Sequence, residues 1–259
     1  MAEHASTLVA LQGVTKVFAN GVTALSGLDL EVRTGEFVSL LGPSGCGKST
    51  VLRIVAGLAQ PTEGRVAWPD STDADHRGDI GFVFQEPTLM PWADVADNVW
   101  LPLRLRGVSK RKAGDRIAES LALVGLSDFA KAHPRELSGG MRMRVSIARA
   151  LSLKPRLLLM DEPFAALDEI TRFRLNDDLL RLQSELRCTV VFVTHSVYES
   201  AYLSSRIAVM SPRPGRIVAE IQGEPPAQRP GDFRTSARYA AVCGQISRAL
   251  LEQTAEERP

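Results

Sequence analysis

The chain has 259 residues, 44% hydrophobic content and 31 basic against 30 acidic residues, for a formal net charge of +1. That length holds one large domain, or a core domain with a small satellite, and the composition is that of a soluble globular protein. A charge this close to zero excludes a global field that draws the molecule onto nucleic acid or a membrane surface, so partners must be chosen locally. Cys46, Cys188 and Cys243 are widely spaced and form no Cys-x-x-Cys pair, which excludes a disulfide framework and a zinc site. The longest apolar runs, LLLM at Leu157–Met160 and TVVFV at Thr189–Val193, fall far short of the roughly 18 residues of a membrane span. The opening MAEHASTLVA lacks a basic region followed by an apolar core, so no signal peptide is expected and the setting is read as cytosolic.

In chain order, TLVALQGVTKVF, LSGLDLEV and GRVAW predict a twisted antiparallel sheet. EFVSLLG, DIGFVFQ, RLLLMD, TVVFVTH and RIAVMS predict the strands of an α/β sheet, and the runs LLLM and VVFV have the two-sided apolarity of central strands. PDSTDADHRGD, from Pro69 to Asp79, reads as a surface loop. Between residues 86 and 140 the strand signal gives way to helical patterns such as SKRKAGDRIAESLALVGL, the mark of a helical subdomain. A domain over residues 1–221 is followed at 222–259 by a Pro/Gly-rich linker, QGEPPAQRPGDF, and a peripheral helix with a charged tail. No internal repeat is visible.

Two anion sites stand out. GPSGCGKST, from Gly42 through Pro43, Ser44, Gly45, Cys46, Gly47, Lys48 and Ser49 to Thr50, matches G-x-x-x-x-G-K-[ST] between a predicted strand and a predicted helix. In that pattern the backbone N–H groups wrap phosphates, Lys48 neutralises the outer ones and the Ser49 hydroxyl ligates Mg²⁺. Cys46 beside Lys48 has the position of an activated thiol, but a small residue fitting a tight loop is the preferred reading. The second site is the helix start at Ser138, Gly139 and Gly140, where unpaired N–H groups and the helix dipole face outward with no side chain in the way.

An apolar strand ends in Asp161 and Glu162. Taken alone such a pair is a solvated strand end; beside a phosphate loop, Asp161 is placed near the metal and Glu162 is left to polarise water. Gln85 and His195 close two further predicted strands, at the carboxyl ends where open α/β sheets bind their ligands.

The ordered set GPSGCGKST, VFQEP, LSGGM, LLLMDEP, AALD and VTH resembles the ATP-binding subunit of an ABC transporter, over essentially the chain up to Ile221. The resemblance implies an α/β P-loop NTPase core with a mixed sheet, an N-terminal antiparallel β-subdomain and a helical subdomain. It also implies a head-to-tail dimer, of identical or related chains, in which Ser138–Gly140 of one subunit closes over ATP held by the loop of the other. Residue by residue it implies that Phe18 stacks on adenine. Gln85 would sense Mg²⁺ and the attacking water, and Glu162 would be the general base. His195 would hold the γ-phosphate, and Asp168 would communicate across the dimer. Met141 stands where the commonest signature has glutamine, and Ser196 where an aspartate often follows the histidine.

LMPWADVADNV, LSGGMRMRV and MSPRPGRIV resemble the nitrate, sulfonate and taurine importers, while DEITRFRLNDDLL and THSVYESAYLSSRI are similar to importers of pyrimidine-type vitamin precursors. Such a chain would sit at the cytoplasmic face of the membrane. It would drive a separate permease fed by a solute-binding protein, with Leu89, Met90, Pro91 and Trp92 as candidate permease contacts. No nucleic-acid partner is implied. The alternatives are a soluble ABC ATPase without a transport role and a P-loop small-molecule kinase; the first usually carries two cassettes or a long coiled-coil insertion, and the second leaves LSGGM and His195 without purpose.

Overall fold

The structure is a computed structural model describing residues 6–69, 80–225, 229 and 231–255. Most of the loop read at Pro69–Asp79, part of the 222–233 linker and the end of the charged tail lie outside the described residues. The chain divides into two compact units, one formed by residues up to 77 together with 187 onward, the other by 78–186. The first unit opens with β1 (Thr7–Val17), β2 (Thr23–Arg33), β3 (Phe37–Leu41), α1 (Lys48–Val55) and β4 (Glu63–Ala67). The second holds β5 (Ile80–Val83), α2 (Val95–Leu105), α3 (Lys110–Leu123), α4 (Gly139–Leu151), β6 (Leu157–Asp161) and α5 (Glu169–Leu186). The chain re-enters the first unit with β7 (Thr189–Thr194), α6 (Val197–Leu203), β8 (Arg206–Met210), β9 (Ile217–Gln222) and α7 (Ala237–Ala255).

In the first unit β1 pairs antiparallel with both β2 and β4, giving the order β2-β1-β4. Alternation along β2 buries Leu28, Leu30 and Val32 and leaves the residues between them outside, the period of a sheet covered on one face. A mixed sheet accompanies it: β3 lies between β7 and β8, parallel to both, and β9 pairs antiparallel with β8. Every residue of β3, β7 and β8 is buried, as strands covered on both faces require. β9 has no counterpart among the strands expected from the sequence; its burial alternates between half-buried and exposed, and its apolar run Ile217–Ala219 is cut short by Glu220.

Two buried polar contacts stand in this unit. Arg206, 8% exposed, donates to Glu36 and to Glu220 at 2.7 Å each, and Ser39 and Ser204 share a hydrogen bond of 2.5 Å. α7 buries Val242 and Ile246 in one cluster with Leu41 of β3, Ala201 of α6 and Ile207 and Val209 of β8. The segment read as a peripheral helix therefore adds to the core that supports the end of β3.

In the second unit β5 and β6 run parallel, and the described residues from 86 to 140 contain helices and no strand. α2 and α3 start at Asp94 and Ser109, whose side chains accept from the N–H groups of Asp97 and Lys112, satisfying donors that a helix start leaves open. No helix among the described residues is long and apolar enough to cross a membrane.

Candidate nucleotide-binding site

β3 stops at Leu41, and Gly42–Gly47 turn the chain back into α1. Gly47 has a φ of 105°, and a Cβ there would lie 2.6 Å from Leu25 Cδ2, so both backbone and space demand glycine. Lys48 is 4% exposed, and its ammonium donates to the carbonyl oxygens of Gly42 at 2.8 Å and Pro43 at 3.0 Å. The cation is thus held across the loop. Ser44 and Gly45 are exposed, while Pro43, Ser49 and Thr50 are half-buried. Cys46 is 1% exposed and packs near Gly42, in keeping with a small residue that fills a tight loop.

α1 begins with no side-chain cap. Asp94, Ser109, Ser138 and Ser196 cap α2, α3, α4 and α6. The start of α1 without a side-chain cap, its dipole and the Lys48 charge together fit a bound phosphate, whose oxygens would stand where side chains stand elsewhere.

Two more sequence-predicted residues belong to this unit. His195 is exposed directly after β7. Beside it the Thr194 hydroxyl donates to the buried Glu199 carboxylate and accepts from Ser196 N–H at 3.0 Å. Ser196 caps α6, accepting from Glu199 N–H at 3.3 Å, so serine keeps a cap where the family often has aspartate. Phe18, 43% exposed, lies in the turn after β1, with Lys16 Nζ 5.7 Å from its ring centroid. Phe18 is therefore a surface ring and not part of the core.

In the second unit β6 ends on Asp161, 8% exposed, and the next residue, Glu162, has a φ of 45°. For a non-glycine residue that conformation costs about 1–3 kcal/mol and persists where the surroundings impose it, commonly at reactive sites. Asp168 accepts from Thr171 N–H at 2.9 Å at the start of α5. Those hydrogen bonds from Thr171, the backbone one foremost, hold its carboxyl below the usual carboxylate range.

Ser138 caps α4 by accepting from Met141 N–H at 3.2 Å, so the Met141 position contributes through its backbone, whatever its side chain. Gly139 is exposed; Gly140 is buried, and a Cβ on it would sit 2.8 Å from Thr171 Cγ2. A Cβ on Gly139 would sit 3.7 Å from Leu167 Cδ2. The Ser138–Gly140 helix start and the Leu167–Thr171 segment with Asp168 are therefore neighbours. Gln85 corrects one reading: β5 ends at Val83, where its ladder with β6 stops opposite Met160, and Gln85 lies exposed in the bend beyond.

A family profile described as ABC transporter matches residues 25–165. The aliphatic sulfonates import ATP-binding protein SsuB 1 of Pseudomonas syringae is 50% identical over 80% of this chain and 81% of its own length. The taurine import ATP-binding protein TauB of Rhizobium johnstonii is 41% identical over 99% and 97%. The nitrate import ATP-binding protein NrtD of Synechocystis is 40% identical over 91% of each. Among solved structures, a dimeric post-hydrolysis state of the ATP-binding cassette MJ0796 bound to ADP and Pi is 37% identical, with a TM-score of 0.72 over 84% of this chain and 99% of that one. The chain belongs to the ATP-binding subunits of ABC transporters. It is an ATP-hydrolysing enzyme of the P-loop NTPase fold.

In this ABC subunit the stretch after Gln85 is shaped by residues that sequence motifs did not single out. Asn98 of α2, fully buried, accepts from Met90 N–H at 2.7 Å and donates to the carbonyls of Met90, Ala93 and Asp94. Arg149 of α4 donates to the carbonyls of Pro87 and Thr88 at 2.9 and 2.8 Å, and burial lowers its pKa. Thus the helix that starts at Ser138 grips the segment following Gln85. That segment leaves Trp92 77% exposed and Leu89 and Met90 half-buried. Phe82, Phe84, Leu101 and Leu105 line a cleft of about 270 Å³ within the same unit. A polar residue on an apolar helix face, such as Asn98, is the only signal in the sequence that points to this scaffold.

Proposed function

We propose that the chain is the ATP-hydrolysing motor subunit of an importer for an oxyanion-type solute such as nitrate, a sulfonate or taurine. The observation that carries this is identity of 40–50% with three subunits named for those imports, spanning at least 80% of each chain. Pyrimidine-type vitamin precursors are the other solute class that the sequence patterns suggest. The subunit works at the cytoplasmic face of the membrane. It drives a separate permease that is fed by a solute-binding protein, and the exposed Trp92 with Leu89, Met90 and Pro91 is the contact we assign to that permease.

In this reading ATP binds to Gly42–Thr50, with Phe18 stacked on the base. The described residues hold no cluster of three or more His, Cys, Asp or Glu able to bind a cation unaided. A donor set of Ser49, Gln85 and Asp161 suits Mg²⁺ carried in with nucleotide phosphates, since Mg²⁺ uses one or two carboxylates plus substrate oxygens. When bound, Mg²⁺ neutralises charge on the phosphates. Glu162 takes a proton from the attacking water, His195 holds the γ-phosphate, and Ser138–Gly140 of a second subunit closes over it while Asp168 links the two subunits. The motif order carries these assignments, and the uncapped start of α1 supports the first of them.

Deletion of the chain tests the import reading. Uptake of one radiolabelled solute among nitrate, an alkanesulfonate, taurine and a thiamine-type pyrimidine is expected to fall to background, with recovery on complementation. Unchanged uptake of all four would contradict it.

A further inference from the structure

The phosphate-binding loop is held from outside by a turn that none of its motifs include. Arg213, between β8 and β9, donates Nε–H and Nη2–H to the Gly45 carbonyl at 3.1 and 2.9 Å. Gly215 of the same turn is stitched to β2: its N–H donates to the Ala24 carbonyl at 2.9 Å, and its own carbonyl accepts from Ser26 N–H at 3.2 Å. A Cβ on Gly215 would overlap the Cys46 carbonyl oxygen, so the turn lies directly against the loop. Two consecutive peptides, Gly45–Cys46 and Cys46–Gly47, are thus backed by the Arg213–Gly215 segment.

We propose that Arg213 is a positioning residue that keeps the phosphate loop in its nucleotide-ready shape. The proposal rests on the assignment of Gly42–Thr50 to the nucleotide. Gly45 has a φ of 78°, a conformation whose freedom glycine brings and something else must limit. The peptide is planar and trans, so fixing the Gly45 carbonyl outward fixes the Cys46 N–H in the opposite direction. That N–H turns into the loop, donating to the Pro43 carbonyl at 3.3 Å. A forked guanidinium gripping one carbonyl at two points does this better than any single donor. Among the described residues no carboxylate pairs with Arg213, so its positive charge also remains beside a loop that receives phosphates. A loop ordered before the ligand arrives loses less freedom on binding, which favours affinity.

The test compares MgATP affinity and steady-state hydrolysis for wild type, Arg213→Ala, Arg213→Lys and Lys48→Ala. Arg213 is exposed, so the variants are expected to fold, and Arg213→Gln serves as a further variant that keeps a donor without the charge. Arg213→Ala is expected to raise Kd and KM for ATP roughly three- to tenfold, the scale of one charge-assisted hydrogen bond at the surface. kcat falls by less, and Arg213→Lys recovers part of the affinity. A purely structural role would lower thermal stability and leave both the KM-against-kcat split and the lysine rescue absent. Wild-type Kd in Arg213→Ala, with binding lost in Lys48→Ala, would overturn the proposal and leave the nucleotide site standing. Absence of ATP binding in the wild type would overturn both.

Discussion

Asp168 shows what one side chain does twice. Its carboxylate caps α5 through Thr171 N–H, and it stands beside the helix start at Ser138. Because those hydrogen bonds depress its pKa in the folded chain, the ionised cap stabilises the fold above the unfolded pKa of about 3.9 and loses that effect as pH falls through the lower, folded value. Thermal melts of nucleotide-free wild type and Asp168→Asn are therefore expected to differ at pH 6–8 and to converge below about pH 4. A difference that is constant across this range would show that the charge is irrelevant to the cap. Glu162 carries another residue-scale signal, a left-handed backbone at a non-glycine position directly after a buried strand end. Sequence motifs flagged the residue, but the strain is a property of the turn, and no composition or spacing announces it.

At the scale of elements, Asn98 is where a single polar side chain organises a segment. It meets four backbone groups between Met90 and Asp94; the Met90 and Asp94 carbonyls also accept backbone N–H groups, so removing the amide chiefly strips the Met90 N–H and the Ala93 carbonyl of this partner. Asn98→Ala is expected to destabilise the protein by about 1–3 kcal/mol, the range for orphaning buried polar groups, read as a lower denaturant midpoint. It should also speed proteolysis between Glu86 and Trp92; a midpoint and cleavage rate equal to wild type would remove Asn98 from the scaffold. The elements themselves were unevenly legible. The antiparallel strands, the buried parallel strands and α1 follow from local alternation, two-sided apolar runs and the glycine loop, all of which act over a few residues. β9 was not legible because its apolar run, Ile217–Ala219, ends after three residues at Glu220. The clamps made by Arg149 and Arg213 join positions 62 and 168 residues apart, and such pairings are set by the tertiary fold. The end of β5 was misplaced because GFVFQ continues to look like a strand after its partner has stopped pairing.

At the scale of the molecule, two glycine-flanked helix starts occur in one chain, and they differ. α1 is uncapped and carries Lys48; α4 is capped by Ser138 and presents the exposed Gly139 with no lysine beside it. In the reading proposed above, the first holds a nucleotide by itself and the second completes the site of a second copy or a related subunit. Light scattering of purified Glu162→Gln protein, with and without MgATP, tests this most directly. The variant keeps the shape of the side chain and removes the base, so it is expected to retain ATP, to lose nearly all hydrolysis and to shift from monomer to dimer only when ATP is present. A Glu162→Gln protein that binds ATP, hydrolyses it at the wild-type rate and remains a monomer at every ATP concentration would contradict both the general base and the use of Ser138–Gly140 in trans.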